Sequence, residues 1–398
     1  MRRTQPAALF LAFTCAVALT ACGGRAFVHE SVDLDGLYER AETQTAGPIR
    51  VSATVPGRVE TTQIFGIDLY EQGIQPIWLE IENSGTDQAR YAMVSTDHLY
   101  FPPFEVAYKN RGGFSKEARL EMERYFNEVS MSRYLDSGEI RSGFVFSNAD
   151  SGAKGFNVDV FTPEDSFSFN FLLRVPGFTP DYANVAFESI YSEQELTTYD
   201  EAALYDALRM LPCCSADEKG EKRGGAINLV LIGPPGNGLL KALLRSKWIE
   251  TSVSESGGGE AHFLFGRKQD AIFRYQSSTD DSFYELRLWL TPMMSGDDRI
   301  WAGQARHYFT TGSTLHRADP DVDNARIVAF QHLLYGQAIE QLAWISGEEV
   351  VPVETFWENL IRPSFFTDGG RLVLWLSGEP VSIREATYLD WDTPPGGN

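Results

Sequence analysis

The chain has 398 residues, 43% of them hydrophobic, and a formal net charge of −21. That length suggests two or three domains with sizeable cores. A surface this acidic is repelled by nucleic acid and by anionic headgroups, so nucleic acid is excluded as a partner. No stretch beyond the first residues is long and apolar enough to cross a bilayer.

Arg2 and Arg3 precede an apolar run from Ala7 to Leu19, and Leu19-Thr20-Ala21-Cys22 follows. A charged start, a run of about 13 apolar residues and small residues before a cut have the form of a secretory signal. The run is shorter than the roughly 20 residues a bilayer span requires. An ordinary secretory signal with an incidental cysteine would share this form. With cysteine directly after the cut, the segment resembles the lipobox of bacterial lipoproteins. That resemblance implies a signal peptide over 1–21, palmitate-type acylation of Cys22, and a membrane anchor made of acyl chains. The expected place is the cell envelope. Gly23, where an aspartate tends to retain such proteins at the inner membrane, favours the periplasmic leaflet of the outer membrane in a Gram-negative host. Cleavage would also remove Arg2 and Arg3, leaving the mature chain still more acidic.

The cysteines are Cys15, Cys22, Cys213 and Cys214. With Cys15 in the signal and Cys22 acylated, an adjacent pair remains, in a compartment where disulfides persist. Neighbouring cysteines bond only as a strained ring. Two thiols, a vicinal disulfide, and a redox or metal role all stay open. Two ligands without companions make a poor zinc site, so no metal and no cofactor are assigned.

Residues 22–47 are few in apolar side chains and read as a tether, with a short helix near Leu37. From 48 to 185 the pattern is β. Ile49, Val51, Ala53 and Val55 alternate, as do Ile77, Leu79 and Ile81 before the turn Asn83-Ser84-Gly85. Phe104–Tyr108, Gly143–Phe146, Phe156–Phe161 and Phe167–Leu173 are further strands. Lys116–Tyr134 carries Leu120, Met122, Tyr125, Phe126 and Val129 at near-helical spacing. Many short strands between polar turns predict a sandwich that loosely resembles a bacterial Ig-like accessory domain. Residues 186–225 form a junction. It holds a helix from Tyr199 to Leu211 ended by Pro212, then a charged loop from Ala216 to Gly225. From 226 to 350 strand and helix alternate: strand Ile227–Ile232, turn Gly233–Gly238, helix Leu239–Lys247, strands Glu285–Leu290 and Ile300–Ala305, helix Pro320–Tyr335. Residues 351–398 read as an extension with one strand, Arg371–Leu376. The fold class is α+β multi-domain, an Ig-like β-sandwich followed by an α/β domain.

Five short pieces carry a family resemblance: Ile227–Gly233, Leu264–Asp270, Leu286–Trp289, Trp301–Gly303, and His316 followed by Asp319-Pro320-Asp321-Val322-Asp323. In order and spacing, the stretch from about 226 to 350 resembles the C-terminal domain of the LssY family. The resemblance implies an α/β domain and an envelope or lipid context, and it supplies no reaction.

The acidic run opens like a calcium-binding EF-hand loop. Asn324 stands where that loop needs glycine, however, and Phe330 where it needs a bidentate glutamate. Helix initiation fits better, with Asp319 as N-cap, Pro320 at the first position, and Asp321 and Asp323 near the positive end of the dipole. Ile327, Phe330 and Leu334 would then be its buried stripe. Arg267 can bind a phosphate or carboxylate through both guanidinium arms, or pair with Asp270 or an acid of the 319–323 run. Arg287 lies within an apolar strand, where a charge requires a partner. His316 and His307 can do acid–base work or hold structure. The Gly233–Gly238 turn lacks the Gly-Lys-Ser/Thr ending of a phosphate loop. We therefore expect Arg267, Asp270, Arg287, His316, Asp321 and Asp323 to be the candidate binding residues, with Arg267, Asp270 and at least one of Asp319, Asp321 or Asp323 close together. The expected function is a lipid-anchored envelope protein binding a partner protein or lipid-related ligand. The alternative is an envelope hydrolase of a phosphorylated or lipid-linked substrate using Arg267, His316 and the carboxylates.

Overall fold

The structure, a computed structural model, describes residues 24–32, 34–97, 100–150, 152–177, 187–235, 238–251, 262–276, 282–310, 316–347, 349–358 and 364–394. The signal segment 1–21 and Cys22 lie outside the described residues. The chain folds as a mixed α+β protein with a β-rich N-terminal region.

That region opens with α1 (Leu34–Arg40), β1 (Glu42–Ala46), β2 (Ile49–Thr54), α2 (Arg58–Phe65), β3 (Ile74–Asn83), β4 (Ala89–Tyr91) and α3 (Met93–Thr96). It continues with α4 (Pro103–Asn110), α5 (Lys116–Glu128), β5 (Tyr134–Leu135), β6 (Ile140–Asn148), β7 (Ala153–Phe161) and β8 (Ser166–Arg174). Two four-stranded antiparallel sheets result, ordered β1-β2-β3-β6 and β5-β4-β7-β8. Ile49, Val51, Ile77, Leu79 and Ile81 of the first share one core with Tyr91, Phe156, Val158, Val160 and Phe171 of the second. Strand alternation sends Trp78, Phe144 and Phe146 to the opposite face of the first sheet. There Leu37, Phe65, Val106, Met122 and Phe126 from the helices cover them. The first sheet is thus buried on both faces, and a helical layer adds to the two sheets.

Three expectations are corrected in this half. Residues 24–47 are not a tether. Phe27 and Leu37 are buried in the helical-layer core, and β1 pairs with β2 along its whole length through the turn at Gly47. Two apolar anchors and a ladder of backbone hydrogen bonds suffice where hydrophobic content is low. Phe104–Tyr108 is helix, not strand. Pro103 sits in the first turn, Val106 and Ala107 point inward, and Glu105 pairs with Lys109 at 2.9 Å one turn on. Alternation of Phe104, Val106 and Tyr108 mimics a strand, but Phe104 and Tyr108, four apart, form an outward helical stripe. Helix α5, expected over Lys116–Tyr134, ends at Glu128 and is capped at its start by Ser115.

The C-terminal region comprises β9 (Thr197–Tyr199), α6 (Glu201–Arg209), β10 (Cys214–Ala216), β11 (Arg223–Ala226), β12 (Leu229–Gly233), α7 (Gly238–Arg245) and β13 (Ile249–Glu250). Next come β14 (Phe263–Leu264), β15 (Arg267–Lys268), β16 (Ala271–Gln276), β17 (Ser282–Ser295), β18 (Asp298–Thr310) and β19 (His316–Ala318). It closes with α8 (Val322–Tyr335), β20 (Ile339–Ile345), α9 (Val353–Glu358), β21 (Arg371–Leu376) and β22 (Thr387–Leu389). A ten-stranded sheet runs β13-β16-β17-β18-β12-β21-β20-β22, with β19 joined to β18 and β9 to β17. Leu229 and Leu231 face α7 and α8, while Val230 and Ile232 face α6. This double burial explains why β12 is an unbroken apolar run. A small sheet, β11-β10-β14-β15, lies beside α6.

The domain expectations change here too. The large sheet is mostly antiparallel, with parallel pairs at β12/β21, β9/β17 and β20/β22, so the region is α+β rather than α/β. Residues 351–398 are not an appendage, because β21 sits between β12 and β20 at the centre of the sheet. Nor is 186–225 a free junction. β9 pairs with β17, α6 buries Leu204 and Leu208, and the expected loop is the β10–β11 hairpin. The two regions also touch: Gly155 of β7 packs on Leu244 of α7, and Lys247 reaches Asp97 at 3.2 Å. Helix α8 starts two residues later than expected. Asp321 is its N-cap, accepting from the Asn324 amide at 3.0 Å, and Asp319 accepts from the Asp321 amide. Ala325, Ala329 and Leu333 face the sheet and Ile327 is exposed, since small side chains let the helix approach closely.

Candidate functional site

The sequence-predicted residues fall into separate structural networks. Arg267 and Asp270 form a two-armed ion pair at 2.7 and 3.1 Å. Both also clasp one backbone residue: Arg267 donates to the Leu290 carbonyl at 2.8 Å, and the Leu290 amide donates to Asp270 at 2.7 Å. The β17–β18 register breaks just after Leu290, so these side chains and the Tyr191 hydroxyl satisfy backbone groups at the irregularity. Burial raises the Asp270 pKa, opposed by the Leu290 N–H and by Arg267.

Asp323 belongs elsewhere. It accepts from the Thr367 hydroxyl at 2.8 Å and the Asp368 amide at 2.7 Å. Arg326 binds Asp368 with both arms, donates to the Gly370 carbonyl at 2.6 Å and lies 4.4 Å over the Trp344 ring. This network pins α8 to the loop entering β21. Among the described residues no hydrogen bond or ion pair joins this network to Arg267 or Asp270. His316 is exposed, with Nδ1 3.1 Å from the Thr310 hydroxyl. His307 meets Asp319 at 2.9 Å. Asp321 serves as the cap of α8. The Cys213 and Cys214 sulfurs are bonded to each other. Arg223 donates to both sulfurs, at 3.2 and 3.0 Å, and pairs with Glu349 at 2.8 Å.

Only Arg287 among the predicted residues enters a cluster with chemical potential. The register pairs Glu285 with Arg306, Arg287 with Gln304 and Trp289 with Ala302, so all six share one face of the large sheet. The small sheet covers that face and adds Ser215 from β10 and His262 and Gln269 from around β14. Glu285 and Arg287 are each 1% exposed, and the Arg287 Nε donates to Glu285 at 2.8 Å. Ser215 Oγ lies 3.0 Å from His262 Nδ1 and 3.3 Å from Gln304 Oε1, and the Gly225 amide donates to it at 3.2 Å. The His262 amide donates to Gln269 Oε1 at 2.9 Å. Packing is so tight that a Cβ on Gly225 would sit 1.9 Å from Gln304 Nε2.

Burial, then Arg287 and Arg306, lower the His262 pKa to about 3, so the imidazole is neutral at physiological pH. The terminal nitrogens of Gln269 and Gln304 are buried and meet no acceptor among the described residues. Two arginines, one glutamate, a neutral histidine and two such amide donors make a donor-rich interior. This arrangement suits an acceptor-rich group such as a carboxylate or phosphate. Among the described residues no three His, Cys, Asp or Glu side chains are grouped to hold a metal ion.

Glu285 and Arg287 alternating with Leu286 and Leu288 in β17, and Gln304 and Arg306 flanking Ala305 in β18, were the available signal. Sequence reasoning took only Arg287 from it, as a charge in an apolar strand that requires a partner, and passed over Glu285, Gln304 and Arg306. Ser215 and His262 come from distant segments and carried no signal.

Residues 260–369 match the family described as LssY C-terminus. The chain carries an LssY-like C-terminal domain. The matched span includes His262, Gln269, Glu285, Arg287, Gln304 and Arg306, together with the Asp323–Arg326–Asp368 network. It excludes Ser215, β12 and β21, so the LssY-like region completes its sheet with strands on either side of the match. No curated protein matches the chain. Among solved structures, it is similar to the crystal structure of a protein of unknown function from Porphyromonas gingivalis W83. That likeness has 10% identity over 66% of this chain and 92% of that chain, with a TM-score of 0.19.

Proposed function

We propose that this protein is a lipid-anchored cell-envelope protein, tethered through acylated Cys22 and favouring the periplasmic leaflet of the outer membrane. Its LssY-like domain binds an anionic group of a lipid-related or envelope ligand. The β-rich front region is an Ig-like accessory domain in this reading. The observation that carries it is the buried donor-rich cluster around Gln304, Arg287 and His262. A closed apolar core gains nothing from two amide donors without acceptors, since each costs about 1–3 kcal/mol. A ligand acceptor would offset that cost.

Two measurements test the reading. Cys22→Ser is expected to abolish partitioning with membranes and incorporation of labelled palmitate; unchanged partitioning removes the anchor. Separately, the full chain is titrated with inorganic phosphate and with short-chain phosphatidylglycerol while Tm is followed. Binding should raise Tm by mass action, and Gln304→Leu should weaken it by at least about tenfold. Equal binding by that variant, or no binding of either probe, rejects the assigned cluster. A hydrolase is the second reading, favoured by the 3.0 Å contact between Ser215 and His262. It requires a basic imidazole, whereas burial leaves His262 with a pKa of about 3. Such a group binds a proton some three orders of magnitude more weakly than a free histidine, so non-catalytic binding is favoured.

A further inference from the structure

The face from which the chain leads back to Cys22 has a composition unlike the rest of this acidic protein. From Val106 to Lys116 there is no acidic residue, while Lys109, Arg111 and Lys116 are basic. At the edge of this stretch α4 exposes two aromatic rings, Phe104 (61%) and Tyr108 (48%), with ring centroids 6.3 Å apart. Arg111 lies 3.5 Å over the Tyr108 ring, and Lys109 is shared between Glu105 and the Phe101 ring. Gly112 and Gly113 stand exposed between them, and a Cβ on either would meet nothing within 4 Å. Aromatic rings beside basic side chains suit the boundary of a bilayer.

The N-terminus is fastened to this same stretch. The Arg25 amide donates to the Gly113 carbonyl at 2.8 Å, and the Ser115 amide donates to the Arg25 carbonyl at 3.1 Å. The Arg25 guanidinium lies 4.2 Å over the Phe114 ring. Two residues, Gly23 and Gly24, separate Cys22 from Arg25, and the three Cα steps span at most about 11 Å. Any acyl chain on Cys22 therefore enters the bilayer within that distance of the 109–116 loop.

We propose that the surface formed by Phe104, Tyr108, Lys109, Arg111 and Lys116, with Arg25, docks flat on an anionic bilayer. This rests on acylation of Cys22. The aromatic pair sits at headgroup depth and the basic residues meet lipid phosphates. The strongly acidic remainder is repelled by the same surface, so charge asymmetry orients the molecule with its LssY-like domain turned away from or alongside the membrane.

The test uses the full wild-type chain floated with vesicles of phosphatidylethanolamine and phosphatidylglycerol, followed by amide hydrogen exchange. The reference is full-length Cys22→Ser without vesicles. Amides of residues 104–116 are expected to exchange about tenfold more slowly on the vesicles, with the β10–β11 hairpin unchanged. A Lys109→Glu, Arg111→Glu, Lys116→Glu variant should still float, because its anchor is intact, yet lose that protection. Equal exchange of 104–116 in floating wild-type protein overturns the docking face and leaves the anchor standing. Retained protection in a floating triple variant overturns the electrostatic contact and with it the proposal. Wild-type protein that does not float removes the anchor, and the docking face falls with it.

Discussion

Arg371→Met is expected to destabilise the protein by about 4–6 kcal/mol, a loss large against the roughly 5–15 kcal/mol of a typical domain. Arg371 is buried at the start of β21 and donates to five backbone carbonyls: Leu208 and Pro212 at 3.0 Å, Leu211 at 2.8 Å, Ile227 at 3.1 Å and, most weakly, Arg209 at 3.5 Å. Leu208 lies in the last turn of α6, whose final carbonyls have no partner within the helix. The guanidinium also meets the negative end of that helix dipole. Burial lowers the pKa of Arg371, with Glu349 opposing. This residue is a positive charge tolerated in the interior because its carbonyl contacts are many. Methionine matches its length but removes every one of these donors, although the Leu208 carbonyl keeps the Leu211 amide at 3.3 Å. Lysine, with three donors and no planar fork, should recover only part of the loss. Urea unfolding at neutral pH measures both variants. A change below about 1.5 kcal/mol for Arg371→Met, the scale of one ordinary hydrogen bond, would show that the carbonyls find other partners.

The second expected result concerns acid. Burial, with Arg287 and Arg306 nearby, lowers the His262 pKa from the ordinary 6.5 to about 3 in the folded state. The folded state therefore binds the proton more weakly than the unfolded chain. Its contribution is fully present above pH 6.5 and is lost as pH falls through 6.5 toward 3, because the unfolded state takes up the proton first. Each unit of pH in that window removes about 1.4 kcal/mol. Between pH 7 and pH 4.5, wild-type protein should lose about 2–3 kcal/mol more than His262→Asn. Burial raises the pKa of Asp270 and of Asp323, which favours the folded state as pH falls. The measurement is therefore the difference between wild type and variant, where those carboxyl contributions cancel. Parallel stability curves for the two proteins over that range would show that the imidazole is not desolvated as the cluster requires. The same experiment bears on function, since a histidine that titrates normally would restore the case for Ser215–His262 acid–base chemistry.

Local pattern was sufficient where one side-chain period dominates. The strands holding Ile49–Ala53, Ile77–Ile81 and Phe156–Phe161, and the helices carrying Leu204–Leu208 and Leu239–Leu244, lie where their periodicity puts them. Four of the five LssY-like pieces lie within the matched span 260–369, because several short motifs stand in order, whereas Ile227–Gly233 lies before it; the pairing of Arg267 with Asp270 followed from charge logic three residues apart. What the sequence could not reveal was which faces become covered. Residues 24–47 contain too few apolar side chains to announce a fold, yet Phe27 and Leu37 are buried by helices that arrive later in the chain. Phe104, Val106 and Tyr108 fit two periods, and packing of Val106 and Ala107 against the sheet chose the helix. Asp323 found Arg326 and Asp368 rather than Arg267 because β21, read as an extension, inserts at the centre of the sheet. Most consequential is the face carrying Glu285, Arg287, Gln304 and Arg306. By itself the sequence marked only Arg287 there, as a charge in an apolar strand that needs a partner. Only tertiary structure lays the small sheet with Ser215 and His262 across it, removing water and turning ordinary polar side chains into a buried donor-rich cluster whose charges depend on one another.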